Sequence, residues 1–349
     1  MVSRKRRPAL SGQGEPGSKS DSDHEIRATN SVDTAHHPPY TLLPDIENGI
    51  QYRLRAPGNR NLDKTIRTCA VVTLLAGFAI VAKAQETPYF ITYDHHLEEP
   101  GSLEVAFNPV LGKPKSGNNF RASTLEFEYG AKAWWTAELY LDGQSTSADS
   151  TVFTGWRLEN RFRPLMRQHW INPVLYVEFE DINGADKTLK EVVGFDSGRD
   201  IPPNSEARLE RQREIELKLI LSSDFKGWNL AENFIAEKNL GGGAWEFGYA
   251  IGANRPIGLA ASPRDCSLCA ENFRVGVELY GGLGDRHNFT LSGTSHYLGP
   301  VLAWTLPSGI SFKVEPAWGL TANSHNSLIR VGVSYEVPGI GRRLRRLLR

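Results

Sequence analysis

Two cysteines separated by two residues are the side chains of this sequence best suited to redox or metal chemistry. Cys266 and Cys269 lie in the stretch SPRDCSLCAEN. A structural zinc site needs four ligands, and the sequence has no second cysteine pair to complete one. A thioredoxin-like motif requires a strand followed by a helix, which this stretch does not suggest. We therefore predict a small local disulfide between the two cysteines, with a free thiol pair and a metal site as the alternatives.

Several histidines raise the question of a metal site elsewhere. His95 and His96 follow Asp94 and precede Glu98 and Glu99, and imidazole and carboxylate groups are common metal ligands. No regular spacing places these side chains on one face of an element, so we predict that they are solvated. The same prediction applies to three histidines that we place on the outer side of the predicted protein: His287, His296 and His325. We therefore predict no metal site and no cofactor.

Ser295 and His296 form the one pair with the residue types of a hydrolase nucleophile and base. Such a site needs the two side chains within hydrogen-bonding distance, together with a polar group that orients the histidine. Adjacent residues of a strand point to opposite faces, so Ser295 and His296 cannot couple directly. We predict no catalytic residue and no enzymatic activity, with an outer-membrane lipid hydrolase as the alternative.

The elements that must position these side chains are β-strands. In residues 329–335, for example, isoleucine, valine, valine and tyrosine alternate with arginine, glycine and serine. Successive side chains of a strand face opposite sides, so each such segment has one apolar and one polar face. The first half of the segment 209–222 also has the composition of a helix. We predict twelve strands, near residues 101–112, 121–129, 134–142, 151–163, 171–181, 209–222, 228–238, 244–257, 271–283, 295–306, 309–320 and 326–337.

The charged faces of these strands favour a membrane barrel over a soluble sandwich. A barrel turns its apolar face to lipid, whereas a sandwich turns it inward. The charged faces carry both signs close together, and tryptophans lie near the segment ends, as interfacial aromatic belts require. We predict an all-β protein with a single antiparallel transmembrane β-barrel, with a secreted β-sandwich binding module as the alternative. The predicted lumen-lining residues are Glu126, Glu128, Glu138, Arg157, Arg161, Glu178, Lys218, Glu246, Arg274, Glu278, Lys313, Glu315 and Arg330.

The lengths of the connections assign the two ends of the barrel, because outer-membrane barrels have short periplasmic turns and longer external loops. An even number of strands then places both ends of the barrel domain in the periplasm. The connection formed by residues 258–270 departs from this pattern, because it is long and yet lies at the end with the short turns. Residues 182–208 either fold inward and plug the lumen or project outward to bind a partner.

An apolar run near residue 70 predicts export. The fourteen residues 69–82 are uncharged, follow basic residues and precede an Ala-Lys-Ala sequence. This is the pattern of a secretory signal, and the run is shorter than the roughly 20 residues that a membrane-spanning helix needs. We predict a signal peptide over residues 62–84, cleaved between Ala84 and Gln85, ahead of a barrel domain over residues 85–337.

Both ends of the chain carry polar extensions. Residues 1–61 are rich in serine, proline, glycine and charge, and we predict a disordered or mis-assigned N-terminal extension. A cytoplasmic tail on an uncleaved anchor is the alternative. Residues 338–349 form a basic C-terminal tail with five arginines, which either contacts anionic lipid head groups or is a solvated end.

Three stretches resemble an uncharacterised family of bacterial outer-membrane, porin-like β-barrels. They are residues 93–109 (YDHHLEEPGSLEVAFNP), 128–144 (EYGAKAWWTAELYLDGQ) and 155–163 (GWRLENRFR). The resemblance implies a barrel in the outer membrane of a Gram-negative bacterium, in contact with membrane lipid, lipopolysaccharide and the outer-membrane assembly machinery. It implies no substrate and no functional residue. Such barrels usually end at an aromatic residue of the last strand, whereas Tyr335 is followed here by the C-terminal tail.

A charged inner face suits a passive channel or a transport-associated protein, because rings of charge bias the passage of ions. The same charges, paired across the interior, would give a non-conducting structural or adhesion barrel instead. The formal net charge is zero, so no overall field favours a nucleic acid partner and none is predicted.

Overall fold

The computed structural model describes residues 87–188, 192–195, 202–262 and 266–341. The N-terminal extension, the signal peptide with its cleavage site and residues 342–349 of the basic tail lie outside these residues. No helix in the described part of the chain is long and apolar enough to cross a membrane.

The described residues form thirteen strands, a single turn of α-helix and a short 3₁₀ turn. The strands are β1 (Leu103–Lys113), β2 (Phe120–Lys132), β3 (Trp135–Thr146), β4 (Thr151–Phe162), β5 (Asn172–Asn183), β6 (Arg211–Phe225), β7 (Trp228–Asn239), β8 (Trp245–Pro256), β9 (Phe273–Asp285), β10 (Asn288–Phe289), β11 (His296–Thr305), β12 (Ile310–Gly319) and β13 (Ser327–Val337). The helix α1 spans Asn204–Ala207, and the 3₁₀ turn spans Ala270–Asn272.

The sheet closes on itself. Each long strand pairs antiparallel with the next along the chain, and β13 pairs with β1, where Leu103 lies opposite Val337. The two-residue β10 only lengthens the hairpin after β9, and β9 continues the sheet to β11. Twelve long strands therefore form a closed antiparallel barrel, which confirms the predicted fold class. A single closed sheet also excludes the sandwich, which needs two stacked layers.

Residues 209–222 are not partly helical. β6 begins at Arg211 and pairs with β5 along most of its length, and from Glu214 onward it also pairs with β7. The helical interpretation of RLERQRE is therefore wrong from Arg211 onward, because two neighbouring strands satisfy this backbone and tertiary context outweighs intrinsic propensity.

Buried and exposed side chains alternate along the strands. In β3, Glu138, Tyr140 and Asp142 are buried, whereas Leu139 and Leu141 are 37% and 38% exposed. Exposed leucine, valine and phenylalanine side chains continue this outward face on the other long strands. An apolar surface that encircles a closed barrel is the surface that a transmembrane barrel presents to acyl chains.

Aromatic side chains cluster at one end of the barrel. Trp135 stacks on Trp134 and Phe162, with ring centroids 6.2 and 6.3 Å apart. Trp304 stacks on Phe312 at 5.6 Å. Both groups lie at the end where β1 begins and β13 ends, which is named the terminal end; the opposite end is named the loop end. The clusters have the composition of an interfacial aromatic belt.

The connections differ between the two ends. At the terminal end, residues 133–134 and 226–227 form two-residue turns. Residues 257–272 are the long exception there, and they contain a disulfide between Cys266 and Cys269, whose Cα atoms are 5.4 Å apart. The longest connection, residues 184–210, lies at the loop end.

Residues 87–99, which precede β1, enter the barrel from the terminal end and are named the inner segment. Tyr89, Ile91 and His95 of this segment are at most 2% exposed. The segment has no regular secondary structure, so the alternation pattern gave no indication of it.

A second stretch enters the barrel from the loop end. Residues 184–188 and 192–195, within the connection between β5 and β6, are named the inner loop. Ala185 and Val192 of this loop are buried. Of the two alternatives for residues 182–208, the structure therefore shows the inward course for this part.

Candidate functional site: the barrel interior

The thirteen residues predicted to line the lumen alternate with outward-facing neighbours on the strands. Eight of them are buried: Glu138, Arg157, Arg161, Glu178, Lys218, Glu278, Glu315 and Arg330. The other five are partly exposed: Glu126, Glu128, Glu246, Arg274 and Lys313.

Arg161 is the centre of a buried cluster of carboxylates. Its Nη2 atom lies 2.6 Å from Glu128 Oε1 and also contacts Glu138, and its Nε atom lies 3.0 Å from Glu159 Oε1. Tyr140 donates a hydrogen bond of 2.7 Å to Glu159. Removing ions from water costs several kcal/mol each, so such carboxylates remain charged only when cations and hydroxyl groups compensate them.

Two further ion pairs lie on the neighbouring strands. Arg157 Nε is 2.9 Å from Asp142 Oδ2, and its Nη1 atom is 3.3 Å from Glu178 Oε1. Lys218 Nζ is 2.8 Å from Glu216 Oε1. Charges of opposite sign therefore face one another across β3 to β6, where three cations compensate part of a larger number of carboxylates.

Glu278 of β9 holds the inner segment through its backbone. Its carboxylate oxygens accept hydrogen bonds from the amides of Phe90, Ile91 and Thr92, at 3.0, 3.1 and 2.7 Å. Three consecutive N–H groups directed at one carboxylate form an anion-binding concavity of the nest type. The carboxylate thus satisfies three backbone donors that would otherwise be buried without an acceptor.

Asparagines of β7 bind the same segment. Asn233 accepts a hydrogen bond from the Tyr93 amide at 2.6 Å and donates one to the Tyr93 carbonyl at 2.8 Å. Tyr89 donates its hydroxyl proton to Asn229 at 3.2 Å. The Asn233 side chain therefore replaces the backbone partner that a neighbouring strand would have offered.

Tyr93 is the point at which the inner segment meets the charged wall. Its hydroxyl donates to Glu159 at 3.0 Å, while the ammonium of Lys218 and the guanidinium of Arg161 lie 4.6 and 5.2 Å from its ring centroid. Its ring meets that of Tyr176 edge to face at 5.3 Å. Both the hydroxyl group and the ring face are used in these contacts.

The inner loop is tied to the wall at the loop end. Its Lys187 amide donates to Gln144 at 2.9 Å, and its Lys187 carbonyl lies 3.2 Å from His325 Nε2. Arg330 donates to the Thr188 carbonyl at 3.2 Å. These contacts are polar, like those of the inner segment.

The inner segment and the inner loop share a small apolar cluster inside the barrel. Ile91 of the first and Val192 of the second belong to one group of buried side chains with Phe120, Tyr280 and Tyr297. The rings of Tyr280 and Tyr297 stack at 5.5 Å. Apolar packing therefore links the two insertions only over a short length.

The described residues line two interior cavities of contrasting charge. One, of about 1300 Å³ including the space open to solvent, lies at the loop end and is named the acidic vestibule. Its lining has one arginine, Arg157, and six carboxylates: Glu180, Asp186, Glu210, Glu214, Glu237 and Glu246. The other, of about 740 Å³ measured in the same way, lies beside the inner segment and carries both signs of charge, including Glu104, Glu126, Lys313 and Arg330.

The histidines are placed differently from the prediction. His95, His296 and His325 are buried rather than solvated, because tertiary contacts supply each ring with polar neighbours or cover it. The ring nitrogens of His296 lie 3.0 Å from the Tyr249 hydroxyl and 2.8 Å from the Thr294 hydroxyl. These contacts orient the ring toward Tyr249 and Thr294.

Acidification is expected to loosen the inner loop through His325. Burial lowers the pKa of His325 from 6.5 to about 4, so folding favours the neutral ring that hydrogen-bonds the Lys187 carbonyl. The stabilisation that this shift in pKa gives is complete above pH 6.5 and is lost as the pH falls toward 4. The full shift corresponds to roughly 3 kcal/mol of free energy of unfolding. The protection factors of the amides of residues 184–188, which are corrected for the intrinsic exchange rate at each pH, should therefore fall between pH 7 and pH 4.5.

His325→Gln provides the control for this effect. Glutamine can donate to the same carbonyl but does not titrate, so the variant should exchange at rates that depend on pH only through the intrinsic chemistry. An equally large fall of the protection factors in the variant would show that His325 is not the responsible group.

Three groups of side chains among the described residues could together approach a metal ion. Two consist of carboxylates only: Glu104 with Glu126 and Glu128, and Glu180 with Glu216 and Glu237. The third is His95, His96 and Asp224. Glu98 and Glu99, which neighbour the histidines in the sequence, do not belong to it.

Several residues of the interior were not among the predicted lumen-lining residues. Glu159 has the same inward parity as Arg157 and Arg161, so the alternation itself could have identified it. Asn233 could have been found in the same way on β7. The inner segment carried no such signal, because an aperiodic stretch gives no indication of which wall it contacts.

No family model and no curated protein matches the sequence. Among solved structures, the chain is similar to an outer membrane channel from Pseudomonas putida F1, with 9% identity and a TM-score of 0.44 over 72% of this chain and 99% of that chain. It is also similar to the NanC porin, with 13% identity, a TM-score of 0.40 and coverage of 67% and 100%. The KdgM porin gives 8% identity, a TM-score of 0.39 and coverage of 66% and 98%.

Proposed function

We propose that the protein is an outer-membrane channel that favours small cations and that is closed here by the inner segment and the inner loop. The observation that carries this proposal is the acidic vestibule, which opens to solvent at the loop end and leads toward the charged interior. In a barrel with an apolar outer face and a charged inner face, water inside the barrel solvates the charged side chains.

The charge of the vestibule supports the preference for cations. Six carboxylates share its lining with one arginine, and a cleft lined by one sign of charge raises the local concentration of ions of the opposite sign. Rings of aspartate and glutamate have this role in cation channels.

The way in which the interior is filled supports gating. The inner segment donates hydrogen bonds to Glu278, Asn233 and Asn229 of the wall, and its apolar side chains pack in three small separate clusters. Water can replace such partners, whereas extensive apolar packing would have to be exposed at greater cost. A segment held in this way can leave the interior while the barrel remains intact.

The two ends and the outer surface of the barrel support a proposal for its orientation in the membrane and for its partners. The short turns of the terminal end favour a periplasmic location for that end, and the loop end faces outward. The apolar belt contacts membrane lipid and lipopolysaccharide, and the assembly machinery of the outer membrane inserts the barrel.

A non-conducting structural barrel is the second candidate, and the ion pairs of β3 to β6 are the observation that favours it. Carboxylates that are already held by a buried cation, such as Asp142 and Glu178 by Arg157, are less available to attract a permeating ion. Conductance in planar bilayers separates the two candidates, since a folded protein that never conducts, with the inner segment present or deleted, has only a structural role.

Neutralising the vestibule is expected to weaken cation selectivity. In the triple variant Glu214→Gln, Glu237→Gln and Glu246→Gln, the ratio of potassium to chloride permeability should fall by roughly a factor of 2 or more, because half of the six vestibule carboxylates are gone. Reversal potentials in a salt gradient measure this ratio. Glu232→Gln, which removes a charge from an exposed position of β7, should leave it unchanged. An unaltered ratio in the triple variant would contradict a selective role of the vestibule.

A further inference from the structure

We infer that His95, His96 and Asp224 form a binding site for a divalent transition-metal ion that joins the inner segment to the end of β6. The Nε2 atoms of His95 and His96 lie 3.4 and 3.5 Å from the same oxygen, Asp224 Oδ2. Ligands about 2.1 Å from a tetrahedral zinc ion lie roughly 3.4 Å from each other. Both nitrogens therefore lie at ligand spacing from the carboxylate oxygen, and one ligand atom from each of the three residues lies within 4.8 Å of the other two.

Hydrogen bonds at the opposite nitrogens direct both rings. His95 Nδ1 lies 2.5 Å from Ser222 Oγ, and His96 Nδ1 lies 3.1 Å from Asp94 Oδ1. Histidines that bind metals are typically held in this way, through the second ring nitrogen, by a carboxylate, hydroxyl or carbonyl group. Binding of an ion requires the tautomer with Nδ1 protonated in each ring, which frees both Nε2 lone pairs for the metal.

The carboxylate is oriented as well. Asp224 Oδ1 accepts a hydrogen bond from Asn229 at 2.8 Å, which leaves Oδ2 directed at the histidines. Gln168 Oε1 lies 3.1 Å from His95 Nε2. The amide oxygen of Gln168 or a water molecule can therefore supply a fourth ligand.

The ligand set indicates the class of ion. Two imidazole nitrogens and one carboxylate oxygen suit Zn²⁺, Cu²⁺ or Ni²⁺, whereas Ca²⁺ and Mg²⁺ prefer sites made of oxygen ligands. The side chains of His96 and Asp224 are 50% and 38% exposed, so an ion can enter from solution at the terminal end. The site differs from the acidic vestibule in position, in residues and in chemistry.

The ion would fasten the inner segment to the wall. Both histidines belong to the inner segment, while Asp224 belongs to a strand of the barrel. An ion bound by all three is retained only while the segment occupies the interior, so metal binding and seating of the segment stabilise each other.

Titration of the folded, detergent-solubilised protein with zinc chloride tests the inference. Isothermal calorimetry should show one saturable site per chain, and His96→Ala and Asp224→Asn should each weaken its affinity at least about 100-fold. His287→Ala, which removes an exposed histidine at the loop end, should bind zinc as the unmodified protein does. Heat-dependent gel mobility would verify that every variant is folded.

A spectroscopic measurement separates this site from adventitious surface binding. Co²⁺ in place of Zn²⁺ should give the intense visible absorption of a tetrahedral site in the unmodified protein and in His287→Ala, and this absorption should be absent in His96→Ala. Zinc binding of equal affinity in the folded His96→Ala and Asp224→Asn variants, or the absence of a saturable site in the unmodified protein, would overturn the inference.

Discussion

Glu278→Ala is expected to raise the open probability of the channel by orders of magnitude. The substitution removes the acceptor of three backbone hydrogen bonds, those of Phe90, Ile91 and Thr92. Hydrogen bonds to a charged group contribute about 1.5–3 kcal/mol each. After partial compensation by water, a loss on the order of 4 kcal/mol would raise the population of the unseated inner segment by roughly a thousand-fold.

Planar-bilayer recordings measure this change. Glu126→Ala is the matched control, since it removes an interior carboxylate that accepts a hydrogen bond from Asn108 of the wall and not from the inner segment. The open probability of this variant should stay near that of the unmodified protein. Deletion of residues 87–96 should reproduce the effect of Glu278→Ala. If the deletion variant is folded and remains as closed as the unmodified protein, the inner segment does not close the channel.

Arg161→Ala is expected to destabilise the barrel by about 3–5 kcal/mol, because removing one member of a buried ion cluster leaves its partners uncompensated. Glu128, Glu138 and Glu159 would lose their common cation. The midpoint of urea unfolding in lipid vesicles, followed by gel mobility, measures the loss.

Arg211→Ala provides the comparison for this measurement. Arg211 also contacts a carboxylate, Asp181, but its side chain is 62% exposed, so water replaces the lost partner and the midpoint should hardly change. A second comparison combines Arg161→Met with glutamine at Glu128, Glu138 and Glu159, which removes both signs of charge together. This variant should recover much of the lost stability. Equal midpoints for Arg161→Ala and Arg211→Ala would show that the Arg161 cluster is not the dominant polar support of the wall.

The strands could be predicted because their signal is local. Residues 329–335 alternate with period two, and β13 (Ser327–Val337) contains them. The alternation also identified which charged side chains share a face, and so it placed Arg157 and Arg161 on the same side of β4. In a strand this parity follows from backbone geometry alone.

The partners of those charges could not be predicted. Whether Arg161 meets Glu138 or another carboxylate depends on the register between β3 and β4, where Glu138 lies opposite Glu159. Register is fixed by the whole closed sheet, so no short stretch of sequence contains it. The burial of His95 and His325 was missed for a related reason, since it depends on contacts between residues that are far apart in the chain.

The sequence by itself determined strands that each have one apolar and one charged face, because side-chain parity is a property of each strand taken alone. The closure of these strands into one barrel was decided by the pairing of β13 with β1. Only the tertiary structure decided that the interior is filled from both ends, that Glu278 binds three consecutive amides of the inner segment and that Asp224 faces His95 and His96. The physical reason is that an aperiodic segment is positioned by the hydrogen-bonding groups that a closed wall presents to it. Those groups come together only when all twelve long strands are in register.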